Sequence, residues 1–220
     1  MNNNLTELIF VLDRSGSMEH LSQETIGGFN SLIQKQKKEN RGEVLVTTVL
    51  FDDNYEVLHD HLPIRKVPRL TEKEYYARGC TALLDAVGRT IDNVGLRLSK
   101  TPEHKRPGKI LFVFTTDGYE NASQDYTKQR VKEMISLQQD TYKWKFLFLG
   151  ANIDAVGEAD SLGIRRSAAC APSASPLGIK TSFSAINRLT GFLRKRSDIS
   201  SDEFDEDYND ECEDCLSSIK

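Results

Sequence analysis

At 220 residues with four cysteines and a formal net charge of −4, the chain is long enough for one substantial core and short for two. No stretch approaches the roughly 18–20 uninterrupted apolar residues that a membrane-spanning helix needs, and the cysteines are too few and irregular for a secreted disulfide framework. Residues 1–7 lack the basic region and apolar core of a leader, so a cytoplasmic location is expected, without membrane partners.

Residues 8–12 are five apolar positions without a polar break, which reads as a strand buried on both faces of a parallel sheet. Asp13 falls at its carboxyl end, where open α/β sheets bind ligands. A helix is expected over 23–38, with Ile26, Phe29, Leu32 and Ile33 on one face. Residues 43–51 form a second strand, 52–54 a turn, and 55–58 a strand pairing back at the edge. The two prolines within 62–70 suit an edge or loop, and 71–74 look like a helix start. The pattern then gives a helix over 82–98, a strand over 110–115, a helix over 125–139 and a strand over 144–149. A helix over 154–161 ended by Gly163, a short strand near 166–170 and a loop over 171–176 follow.

The last predicted helix spans 177–196, with Phe183, Ile186, Leu189, Phe192 and Leu193 at helical spacing and Arg194-Lys195-Arg196 at its C-terminus. Residues 197–220 hold ten Asp or Glu against one Lys, a composition that reads as an acidic, disordered tail. The rest of the chain is net positive, but its basic residues are spread over solvated faces without aromatic interleaving, so no nucleic-acid partner is expected. Strand and helix alternate throughout. The fold class expected is α/β: a Rossmann-like, doubly wound, mostly parallel sheet with one antiparallel edge strand and helices on both faces. One domain covers 1–196, including its C-terminal helix.

Chemistry concentrates in three places. Ser15 and Ser17 follow Asp13 at alternate positions around Gly16, so an extended turn aims both hydroxyls where the carboxylate points. A helix-capping serine turn explains that pentapeptide equally well. Two distant stretches shift the balance. Thr81 follows the Gly79 turn just before a helix, and Asp117-Gly118 ends a second apolar strand as Asp13 ends the first. Two strand-end carboxylates with three hydroxyls suit a hard cation such as Mg²⁺ or Mn²⁺, which takes its remaining oxygens from water or a partner.

Together these residues resemble the von Willebrand factor type A domain family, as a stand-alone intracellular member, over about residues 5–165. The family's metal-ion-dependent adhesion site reads Asp-x-Ser-x-Ser, then Thr, then Asp, and Asp13, Ser15, Ser17, Thr81 and Asp117 match it without a gap. Cys80 beside the threonine departs from the small residues usual there. The resemblance implies a metal-dependent binding module, not an enzyme, whose site is completed by an Asp or Glu of a protein partner. The alternative is a Mg²⁺-dependent phosphohydrolase on the same fold class, although Ser15 stands where such an enzyme places its second carboxylate.

Other candidates carry less. Residues 205–216 begin like a calcium loop, but Asp210 replaces the glycine and Leu216 the bidentate glutamate. Cys212 and Cys215 have zinc-knuckle spacing without a second pair, so solvated thiols are expected. Asp52 and Asp53 follow the second strand and are candidates for the rim of the site. Asp85 favours its helix dipole. His20, His59 and His61 form no nucleophile–base pair. The acidic tail, if mobile, would lie across Arg194–Arg196 or offer a carboxylate to the metal site.

Overall fold

The computed structural model describes residues 1–196, 199, 201–217 and 219. Its sheet comprises β1 (Asn2–Asp13), β2 (Glu43–Phe51), β3 (Tyr55–Pro63), β4 (Pro107–Thr116), β5 (Lys145–Gly150) and β6 (Ala169–Cys170). The spatial order is β3-β2-β1-β4-β5-β6, parallel except for the β2–β3 hairpin at one edge. The helices are α1 (Ser22–Lys38), α2 (Leu83–Lys100), α3 (Lys128–Tyr142), α4 (Ala155–Ser161), α5 (Pro176–Lys195) and α6 (Asp202–Ser217). Among the described residues no helix is long and apolar enough to cross a membrane.

Side chains alternate across a strand, and β1 shows both layers. Phe10 meets Phe29 of α1 edge-on, with ring centroids 5.3 Å apart. Glu7 instead pairs with Arg97 of α2. Because both faces are covered, residues 8–12 are all fully buried. Helix α1 packs on α5, and α2 packs on α3. The glycine at 28 lets the first pair close, since a Cβ there would run into the Phe183 ring.

Three expectations are corrected. Residues 71–74 form a turn, not a helix start: the Glu74 carboxylate accepts from the Thr71 amide (3.0 Å) and hydroxyl (2.6 Å), closing a local ring, and Tyr75 then enters the core. The strand near 166–170 is mostly a helical turn, Arg166–Ala168, leaving the two residues of β6. Over the described residues 201–217 the acidic segment is not a disordered tail. It contains α6, whose buried Phe204, Tyr208, Cys212, Cys215 and Leu216 recur at helical spacing.

Four of the α6 acids are paired to basic residues outside it. Asp205 holds Lys145 and Lys143, Asp207 holds Arg196 (2.5 Å), and Glu211 and Asp214 hold Arg188 (2.7 and 2.5 Å). These carboxylates are therefore engaged along α5 and β5. Acids in the first turn, Asp202, Glu203 and Asp205, also favour the helix dipole. The stretch 205–216 lies inside this helix and forms no calcium loop. Cys212 and Cys215 are buried rather than solvated, and burial pushes both thiols up to about 12.

Candidate metal centre

Strand order reverses between β1 and β4, the neighbours from which the chain winds outward in both directions. Leu12 pairs with Thr115, so Asp13 and Thr116-Asp117 leave the sheet side by side at their carboxyl ends. Open sheets bind ligands at such a switch point. Three loops meet there. The Gly16 amide donates to the Gly79 carbonyl (3.1 Å), and the Arg78 amide donates to that of Arg14 (2.8 Å). Thr81 donates its amide to Asn121 Oδ1 (2.9 Å) and receives the Asn121 amide at its carbonyl (3.0 Å). Gly79 has φ +66°, and a Cβ there would collide with the Asp53 carboxylate. Only glycine makes that turn without strain.

All five residues singled out from the sequence converge. Asp13 is fully buried. Its Oδ1 accepts from the Ser15 amide (2.6 Å), and its Oδ2 accepts from the Thr116 hydroxyl (2.6 Å). The Ser15 and Ser17 hydroxyls are 3.1 Å apart, and Ser17 donates to Asp117 Oδ1. Thr81 stands close to the Gly118 backbone, as Ser17 does. A Cβ built on Gly118 would lie 3.3 Å from Thr81 Oγ1 and 3.5 Å from Ser17 Oγ, so a glycine here lets both hydroxyls come close to the Asp117-Gly118 backbone.

The donor set fits a hard divalent cation on three counts. Asp117 Oδ2 is buried without a hydrogen-bond partner. Burial pushes the Asp13 carboxyl up to about 6 and raises that of Asp117, so each carboxylate is held against the cost of desolvation. Among the described residues no group of three or more His, Cys, Asp or Glu could hold a metal. The oxygens here are two carboxylates and three hydroxyls, a composition for a hard cation that keeps some water.

Several residues that organise the site were not legible. Asp52 does not lie on an open rim but is a fully buried hub. It accepts from Arg14 Nε (2.9 Å), Arg78 Nε (2.7 Å) and the Asn54 amide (2.6 Å), and its carbonyl receives the Ala82 amide (3.0 Å). Burial raises its pKa, but the Arg78, Asn54 and Arg14 hydrogen bonds outweigh this and leave it below the usual range. Asp53 is exposed. Asp85 does more than favour a dipole: its carboxylate accepts from the amides of Gln124, Asp125 and Tyr126 (2.8–2.9 Å). Glu120 reciprocates by accepting from the Leu84 amide (2.8 Å) at the α2 N-terminus. His59 is buried against Phe29 and His61 lies beside Glu7, while His20 contacts the Ser17 carbonyl (2.9 Å).

No family profile and no curated protein sequence matches this chain. Solved structures do. The chain is similar to a von Willebrand factor type A protein from Catenulispora acidiphila, with TM-score 0.55 and 15 % identity over 83 % of this chain and 42 % of that one. It is similar to proximal thread matrix protein 1 from the mussel byssus "with zinc occupied MIDAS motif", with TM-score 0.57 and 16 % identity over 84 % and 45 %. The PilB minor pilin from Streptococcus sanguinis aligns with TM-score 0.55 and 13 % identity over 89 % and 62 %. The chain spans less than half the length of the first two. By its similarity to these solved structures, this chain has the von Willebrand factor type A fold.

Proposed function

We propose that this chain is a protein-binding module that works through a Mg²⁺ or Mn²⁺ ion. The observation that carries the reading is the clustering of these oxygens at the switch point: Ser15, Ser17 and Asp117 are linked by their side chains, Asp13 is held beside them by the Ser15 amide and Thr116, Thr81 and Ser17 both face the Gly118 backbone, and one Asp117 oxygen is buried and unpartnered. Asp13 is the anionic anchor, Ser15, Ser17 and Thr81 contribute hydroxyls, and Asp117 supplies the second carboxylate. The bound cation supplies a Lewis-acidic centre able to accept one more carboxylate oxygen, from an Asp or Glu of a protein partner. The neighbouring loops orient that partner: 13–18, 79–82 and 117–121 are tied together by the hydrogen bonds above, so the contact surface is preorganised. The reading makes the chain a binding module rather than an enzyme, with neither nucleic acid nor membrane as its target. Four scattered cysteines in 220 residues support a reducing compartment, the cytoplasm.

Calorimetry with Mg²⁺ and Mn²⁺ tests the site directly. Wild type binds at least one of the two, and saturating cation raises its melting temperature by mass action. Asp13→Ala abolishes both effects. No binding heat and no thermal shift with either cation would refute the reading. For the partner, capture in Mg²⁺ against EDTA separates a cation-dependent contact from recognition elsewhere on the surface.

A further inference from the structure

The backbone at the end of β1 is fixed before its carboxylate is. Tyr75 buries its ring and donates its hydroxyl to the Asp13 carbonyl, and the Arg14 amide donates to the Phe51 carbonyl (2.8 Å). What remains is the Asp13 side-chain rotamer. The Ser15 amide holds Oδ1, a contact that any residue at position 15 would make. Oδ2 is held from a separate strand, by Thr116 of β4, itself 3 % exposed. The same Thr116 oxygen accepts the Gly118 amide (3.2 Å) and lies 3.0 Å from the Gly118 carbonyl. One hydroxyl therefore ties the first carboxylate to the turn that carries the second.

We infer that Thr116 is a positioning residue for cation binding, fixing the Asp13 carboxylate and its separation from Asp117 without itself ligating. The inference rests on the metal reading above. Asp13 and Asp117 bring two carboxyl groups into one cleft, tied to each other by the Thr116 hydroxyl through the Gly118 amide. Left without the second donor, the Asp13 side chain relaxes away from Asp117, and the cation must then draw the two together. Hydrogen-bond partners of metal ligands are worth roughly 10- to 100-fold in metal affinity. A valine at 116 keeps the strand propensity and nearly the shape while deleting the hydroxyl.

The test measures Mg²⁺ and Mn²⁺ affinity by calorimetry on wild type, Thr116→Val, Thr116→Ala and Thr116→Ser, with melting curves in EDTA for each. The expected result is a roughly 10- to 100-fold loss for Val and Ala, and recovery by Ser, whose hydroxyl occupies the same place. Melting in EDTA separates this from a merely structural role, which would lower stability and leave the affinity of the folded protein unchanged. Ala covers the case in which the extra methyl of Val prevents folding. If wild type binds and the Val and Ala variants bind as tightly, the inference is wrong while the metal reading stands. If wild type binds neither cation, the metal reading fails and this inference falls with it.

Discussion

Phe204→Ala tests whether the acidic C-terminal segment is structure. The ring is 3 % exposed and stands at the centre of a stack, 6.0 Å from Phe192 of α5 and 6.2 Å from Tyr208 of its own helix. The Lys145 ammonium lies over it at 5.2 Å and over Tyr208 at 5.3 Å, with Asp205 as its anion. Truncating a buried phenylalanine costs about 3–5 kcal/mol through lost transfer energy and the residual cavity. The lysine, itself pushed down by burial, also loses one of its two aromatic faces. For a chain of this length each kcal/mol moves the melting temperature by about 2–4 °C, which gives a drop of about 6–20 °C. Thermal unfolding followed by far-ultraviolet circular dichroism reads it. Glu206→Ala, on the exposed face, is the control and stays within about 0.5 kcal/mol of wild type. If Phe204→Ala and deletion of residues 197–220 both melt within about 2 °C of wild type, α6 contributes nothing and the segment behaves as a solvated tail.

Glu7 is fully buried; burial alone pushes its pKa up, but the His61 and Arg97 contacts prevail and leave it lowered. A lowered carboxyl contributes stability that is present above its unfolded value near 4.5 and is lost as pH falls through the folded value. Wild type should therefore lose stability below about pH 4.5 more steeply than Glu7→Gln in denaturant titrations, and parallel curves would remove Glu7 from the acid limb. In a native thiol titration Cys80, which is exposed, should react fast while Cys170, Cys212 and Cys215 wait for unfolding; rapid reaction of three thiols would mean that α6 is open. Gly79→Ala should cost more than about 1 kcal/mol, because φ is +66° and the added methyl meets the Asp53 carboxylate. It should also weaken cation binding by shifting Thr81, and wild-type affinity in a folded variant would show that the turn does not set that ligand.

The candidate ligands were legible because each is fixed by a short stretch of its own chain. An unbroken apolar run can only be a central strand here, so the first carboxylate after it marks the strand end, and Asp13 and Asp117 announce themselves. Ser15 and Ser17 follow from one turn, and Thr81 from a glycine before an amphipathic helix. The residues that hold the ligands depend on pairings 26 to 103 positions apart, as Arg78–Asp52 and Thr116–Asp13 show. Nothing local distinguishes Asp52 from an ordinary turn aspartate: its role exists only once Arg14 and Arg78 arrive from other loops. Helix α6 is a different case. Its apolar residues carry the helical period in the sequence itself, but ten acids in 24 residues pull the mean toward the composition of disorder. Mean composition measures whether a segment could fold alone, and α6 does not have to. It folds against Lys145, Arg188 and Arg196, which turn the charges that would have kept it solvated into the contacts that dock it.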